Sequence, residues 1–188
     1  MKTVVLFGSP RKDGNTRQLV DAFVGAMKKK ANEVRLFHLN DMNIRPCQGC
    51  LSCAETGLCR INDDMGDIRT HIMKSDVVVY ATPVYWWSPS AQLKLAMDRS
   101  IAFLDKEMNS RVSGKKAVSL VCCADNDKGT CGPVREIFKR TFEGLGMEYA
   151  GHVEALGCEE KGTVTKKMLD AAGSLARSLL SQADSTQV

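Results

Sequence analysis

Apolar positions along the chain follow two rhythms that alternate from one segment to the next. Val4-Val5-Leu6-Phe7, Asp76–Ala81 and Ala117–Cys123 are continuous apolar runs of strand length, the pattern of strands covered on both faces of a parallel sheet. Glu33–Leu39 and Met147–Leu156 alternate only in part and read as the two edge strands. Between them the spacing is helical. Leu19, Val20, Phe23, Val24 and Met27 predict a helix from Thr16 to about Lys30, and Met65, Ile68 and Ile72 a short one capped by Asp63 or Asp64. A third helix is expected over Ala91–Leu104. Val134, Ile137, Phe138, Phe142 and Leu145 mark a fourth, and Met168, Leu169, Ala172, Leu175, Ala176, Leu179 and Leu180 a last one over Thr165–Leu180.

The resulting βαβαβαβαβα order requires right-handed crossovers and predicts an α/β doubly wound, five-stranded parallel sheet of order 2-1-3-4-5. It fits one domain over residues 1–182, followed by a polar, fraying tail at 183–188. Ligands of such sheets bind beyond the carboxyl ends of the strands at the switch point, where Gly8–Asn15, Thr82–Ser90 and Ala124–Pro133 should meet.

Composition narrows the function classes. Hydrophobic residues at 44% and charged residues at 26% are those of a globular chain. Without a membrane-length apolar run or a signal-peptide core, a cytoplasmic protein is expected. A net charge of +4 gives poor support to nucleic-acid binding. Its one basic run, Lys28-Lys29-Lys30, sits where a helix C-terminus favours cations. Eight cysteines, with Cys47, Cys50, Cys53 and Cys59 together, point in a reducing compartment to metal or redox chemistry rather than structural disulfides.

The segment Gly8-Ser9-Pro10-Arg11-Lys12-Asp13-Gly14-Asn15-Thr16 has the makings of a phosphate socket. Gly8 permits a sharp exit from the strand and Gly14 a positive φ before the helix. Ser9, Arg11, Asn15 and Thr16 offer donors in front of the helix N-terminus. It lacks the terminal Gly-Lys-Ser/Thr of a nucleotide-triphosphate loop and the three glycines of the dinucleotide fingerprint, so it suits a single phosphomonoester. The same residues also fit a solvated turn with Asn15 as N-cap.

Three adjacent aromatics, Tyr85-Trp86-Trp87, mark the second loop. They fit the wall of a flat cofactor, with core packing or a subunit interface as the alternative. Cys47, Cys50, Cys53 and Cys59 form C-x2-C-x2-C-x5-C, a compact repeat able to wrap one iron–sulfur cube, with Gly57 easing the last turn. Free redox-active thiols remain the alternative, and zinc fits less well because its cysteine pairs are usually further apart. His38, His71 and His152 fall in no catalytic constellation and read as structural or solvated; no side chain is assigned as acid or base.

GSPRKDGNT after the first strand and TPVYWWSPSAQLKLAMDR after the third resemble the flavodoxin-like NAD(P)H-dependent FMN reductase family, and the cysteine spacing resembles its iron–sulfur flavoprotein branch. Trp87-Ser88-Pro89 looks more like a reductase subgroup without a cluster. The resemblance implies that Ser9, Arg11, Asn15 and Thr16 hold the FMN phosphate. It also implies that Pro83, Val84, Tyr85, Trp86 and Trp87 contact the isoalloxazine, with Ala124 and Asp125 closing the other side. It implies NAD(P)H as co-substrate, a small acceptor such as a quinone, flavin or metal ion, and a homodimer or homotetramer. The rival reading is an electron carrier in which a [4Fe-4S] cluster at the four cysteines serves a ferredoxin-like partner. A third is a thiol sensor or zinc module that has lost FMN.

Overall fold

The computed structural model describes residues 1–28 and 32–185. Its elements in chain order are β1 (Lys2–Phe7), α1 (Asn15–Met27), β2 (Glu33–His38), the single turn α2 (Cys53–Thr56), α3 (Met65–Lys74), β3 (Val77–Tyr85), β4 (Ser88–Pro89), α4 (Ala91–Asp98), β5 (Lys116–Cys122), α5 (Gly132–Gly144), β6 (Glu148–Ala155) and α6 (Lys166–Ser185). Five strands run parallel in the order β2-β1-β3-β5-β6, the expected doubly wound order, and β4 adds antiparallel to the far end of β3.

Continuous apolar strands arise because each strand feeds two cores. Val4 and Leu6 of β1, with Val78 and Tyr80 of β3, meet Ile68, Leu93 and Phe138 from α3, α4 and α5. Val5, Phe7, Val77 and Val79 face the other way, onto Leu19 and Phe23 of α1 and Ala172, Ala176 and Leu179 of α6. Small residues let α6 lie close: a Cβ on Gly151 of β6 would sit 2.4 Å from Leu175. No helix among the described residues is long and apolar enough to cross a membrane.

Boundaries differ from the sequence expectation where local chemistry overrides periodicity. Helix α1 ends at Met27 with Lys28 as its C-cap, while Lys29 and Lys30 lie outside the described residues. The expected third helix stops at Asp98 and tightens into a 3-10 turn over Arg99–Phe103, which swings Arg99 inward. Helix α6 continues to Ser185, beyond the expected start of the polar tail, whose residues 186–188 are not among those described. Asp64 holds the N-cap position of α3 yet makes no side-chain cap bond; its Oδ2 accepts the Asn43 N–H at 2.7 Å. Asp63 accepts the Met65 N–H at 3.2 Å, but its main engagement is a buried ion pair with Arg99.

Candidate functional site: a phosphate loop, an aromatic hairpin and a cysteine pocket

The loop after β1 is shaped by close approach. A Cβ on Gly8 would fall 2.7 Å from Leu93 Cβ and 2.8 Å from Ser90 Oγ, so only glycine lets β1 turn past α4. The Ser90 hydroxyl donates to the Gly8 carbonyl at 2.6 Å and caps α4 by accepting the Leu93 N–H. Gly14 does not take the positive φ expected of it: it is the N-cap of α1 at φ −80°, ψ −175°, the extended geometry a cap requires. Its lack of a side chain keeps Arg11 close, since a Cβ there would lie 3.2 Å from Arg11 Cβ.

The four loop donors are placed differently. Arg11 is exposed and, among the described residues, makes no ion pair. Buried Ser9 closes the turn, its hydroxyl accepting the Arg11 N–H at 3.2 Å. Thr16 is buried, and its hydroxyl acts to lower the pKa of the nearby Cys122 thiol. Asn15 is not the cap. Its Nδ2 donates to the carbonyls of Cys158 (3.0 Å) and Glu160 (2.7 Å), and its Oδ1 accepts the Gly162 N–H at 2.8 Å, so it ties the 157–163 turn to the loop. A phosphate here would meet Arg11 and the free N–H groups opening α1, whose first turn holds no acidic residue. Asp13 is paired with Lys161, so its negative charge is offset.

His38 is a part of this loop that sequence reasoning treated as incidental. It ends β2 directly beside Phe7, stacks on that ring at 4.9 Å and donates from Nε2 to the Ser9 carbonyl at 2.8 Å. Nδ1 lies 3.0 Å from Asp41, which also pairs with Lys12 at 2.8 Å; Lys12 and His38 hold that carboxyl below its usual range. The signal was available: order 2-1 makes the end of the second strand a neighbour of the phosphate loop.

The aromatic stretch is no loose loop. β3 continues through Pro83, Val84 and Tyr85, and Val84↔Pro89 and Tyr85↔Ser88 form a hairpin with Trp86 and Trp87 as its two turn residues. Both take left-handed φ, 50° and 57°, the twist a two-residue hairpin demands and one that bulky residues resist. The rings stand 5.8 Å apart, and neither is core: Trp86 is 88% exposed and Trp87 54%. Val84, Trp86 and Trp87 face Cys123, Ala124 and Asp125 across an open cavity beyond the carboxyl ends of β3 and β5. Asp125 is engaged in its own turn, accepting from the Asp127 N–H and the Thr130 hydroxyl.

Cys122 and Cys158 are a second feature that local pattern did not single out. The two thiols interact: Cys122 pulls Cys158 down to about 7, while Cys158 and burial push Cys122 up.

Cys47, Cys50, Cys53 and Cys59 all line one pocket, together with Asp98, Arg99, Ile101 and Ala102. Gly57, at φ 71°, ends α2 in the left-handed conformation that reverses the chain toward Cys59. Burial pushes the Cys53 thiol up, as do the nearby Cys59, Cys47 and Cys50, so the four sense one another. Among the described residues no three His, Cys, Asp or Glu side chains are gathered tightly enough for a single metal ion. A four-iron cube spreads its thiolates wider than one ion does, and four cysteines lining one pocket are the donor set it takes. The Arg99 guanidinium lies buried beside Cys59, and its Nε has no hydrogen-bond partner.

Residues 1–155 match the family described as NADPH-dependent FMN reductase. The chain is 36% identical over 157 residues to an iron–sulfur flavoprotein of Archaeoglobus fulgidus, covering 84% of this chain and 69% of that protein. It is 37% identical over 119 residues, 63% of its length, to an iron–sulfur flavoprotein of Methanocaldococcus jannaschii, of which it spans 62%. A solved NAD(P)H:quinone oxidoreductase from Methanothermobacter marburgensis superimposes with a TM-score of 0.79 over 95% of this chain and 98% of that one; at 18% identity the likeness is one of fold. With its glycine-hinged loop after β1, its strand order and a match spanning residues 1–155, this chain belongs to the NADPH-dependent FMN reductase family of flavin oxidoreductases.

Proposed function

We propose that this protein is an FMN oxidoreductase that also carries a four-iron cluster, and so joins a two-electron hydride donor, NAD(P)H, to one-electron traffic with a ferredoxin-like partner. FMN supplies hydride chemistry and the cluster single-electron transfer when each is bound. The observation that carries the cluster half is the convergence of Cys47, Cys50, Cys53 and Cys59 on one cavity with an unpartnered buried arginine donor; the names of the curated relatives agree with it.

The geometry supports the following contributions from the chain's own residues. Arg11, the Ser9 turn braced by His38, and the α1 N-terminus hold the phosphate end of the flavin. Pro83, Val84 and Tyr85 lead into the Trp86-Trp87 turn, which stands as one wall of the ring site with Ala124 and Asp125 as the other. Both walls keep bulk water from the ring while the cavity between them admits a nicotinamide. Cys47, Cys50, Cys53 and Cys59 ligate the cluster, with Gly57 setting the reach of the last. A second copy of the chain, in a dimer or tetramer, covers the exposed Tyr85, Trp86 and Trp87. Eight free thiols suit a reducing, cytoplasmic setting.

A second reading keeps the same flavin site and passes electrons directly to a small acceptor, such as a quinone, entering the open cavity beside Trp86. The two separate in one experiment. Chemically reduced two-cluster ferredoxin should reduce bound FMN in the wild-type protein and fail to do so in Cys59→Ser, while NADPH reduces the flavin in both. Equal reduction by ferredoxin in both proteins would remove the cluster from the electron path.

A further inference from the structure

Three arginines that no part of the flavin site uses surround the cysteine segment. Arg99 is 2% exposed, and its partner Asp63 has a fully buried side chain. Nη1 donates to Asp63 Oδ2 at 2.7 Å and to the Arg45 carbonyl at 2.8 Å. Nη2 donates to Asp63 Oδ1 at 3.1 Å and to the Ile61 carbonyl at 3.4 Å. Those bonds fix the planar fork, so the remaining N–H at Nε cannot swing away to find a partner, and it has none. Leaving such a donor buried and unpaired is unfavourable, because its lost hydration is not replaced.

The same defect recurs twice nearby. Arg69 has a buried, unpartnered Nε and Arg111 a buried, unpartnered Nη1. Both guanidiniums close on Gly57, between Cys53 and Cys59: a Cβ there would lie 2.9 Å from Arg69 Nη2 and 3.2 Å from Arg111 Nε. Arg111 Nη2 also donates to the Ala54 carbonyl at 3.1 Å, fastening the turn that follows Cys53. Among the described residues Asp63 is the only carboxylate in an ion pair with any of the three. Arg99 lines both the cysteine cavity and the neighbouring one shared by Cys59, Asp63 and Arg69, so it forms the partition between them.

Three guanidiniums, each with an idle donor and with only Asp63 ion-paired to any of them among the described residues, make surroundings suited to an anion. Four thiolates holding an iron–sulfur cube are such an anion, and N–H donors and positive charge around the sulfurs raise its potential and strengthen its retention. We propose that Arg99, supported by Arg69 and Arg111, is the positioning residue of the cluster: its Asp63-locked fork presents Nε toward the Cys59 sulfur and its charge balances the cluster. This rests on the cluster reading above. It also accounts for Asp63: the carboxylate accepts the Arg45 and Met65 N–H groups while Arg99 donates to the Arg45 and Ile61 carbonyls, so segments before and after the cysteines are held by one ion pair.

The test compares wild type, Arg99→Lys, Arg69→Gln and the charge-neutral pair Arg99→Met/Asp63→Asn, each loaded anaerobically with iron and sulfide. Removing both charges together avoids stranding a buried carboxylate. Readouts are far-ultraviolet circular dichroism of the unloaded chain, iron retention against a chelator, and the midpoint potential by EPR-monitored titration. The expected result is a folded double variant that holds iron about 10–100-fold more weakly, the range typical of lost outer partners, with a midpoint below that of wild type. Arg99→Lys, keeping the charge without the fork, should fall between them, and Arg69→Gln should lower the midpoint by less. Wild-type retention and potential in Arg69→Gln and Arg99→Lys would overturn the proposal, whatever the double variant does. A wild-type protein that takes up no iron would overturn the cluster reading beneath it.

Discussion

Asp63 shows how one residue joins fold and site. Burial alone would raise its carboxyl, but Arg99 and the Arg45 and Met65 N–H groups outweigh that and hold it below the ordinary carboxylate range. Its folded pKa therefore lies under its unfolded value of about 3.9. The stabilisation is complete above that pH and is lost as pH falls through the lower folded value. The melting temperature of the unloaded protein should drop more steeply below about pH 4 in wild type than in Arg99→Met/Asp63→Asn, which has no ion pair to lose. Parallel melting curves of the two proteins across that range would mean that the pair adds nothing to stability. Arg99→Met alone, leaving Asp63 buried and unpaired, should cost about 3–5 kcal/mol in the same melts.

At the scale of elements, the β3–β4 hairpin sets stability against function. Trp86 and Trp87 occupy turn positions that favour Asn and Gly, at φ 50° and 57°. Non-glycine residues held there cost about 1–3 kcal/mol each, and both rings project into solvent where they bury little. Replacing them by Trp86→Asn/Trp87→Gly should raise the melting temperature of the flavin-free protein and weaken FMN binding about tenfold or more, measured by quenching of flavin fluorescence. A variant that is stabilised yet binds FMN normally would show that the two rings do not wall the flavin. Ser88 and Pro89 form the short strand that closes the turn.

For the whole molecule, the sheet was legible because its signal is dense. Inner strands buried on both faces leave uninterrupted apolar runs, and the order 2-1-3-4-5 follows from three such runs and two mixed ones. The phosphate loop was legible because glycine has few reasons to sit at Gly8 other than close approach. The pairing of Asp63 with Arg99, separated by 36 positions, leaves no local trace, and adjacent carboxylates before a helix read naturally as caps. Asn15 misled for a related reason: an amide at a helix start suggests a cap or an anion donor, whereas its partners come from residues 158–163, at the far end of the chain. His38 was hidden by treating each strand separately, since its role depends on which strand lies beside it.

The fold therefore presents two candidate sites: an open cavity between the β3–β4 hairpin and the loop after β5, proposed for flavin, and a cysteine pocket lined by Arg99, proposed for a cluster. The claim that both are filled is tested most directly by purifying the protein without oxygen, recording its absorption spectrum, and assaying iron, acid-labile sulfide and FMN on the same sample. The account predicts flavin bands on a broad brown absorbance that bleaches on reduction, with about four irons and four sulfides per chain, as a cube requires. A two-band flavin spectrum with no iron, persisting after anaerobic incubation with iron and sulfide, would contradict it and leave the four cysteines as free thiols beside an FMN reductase.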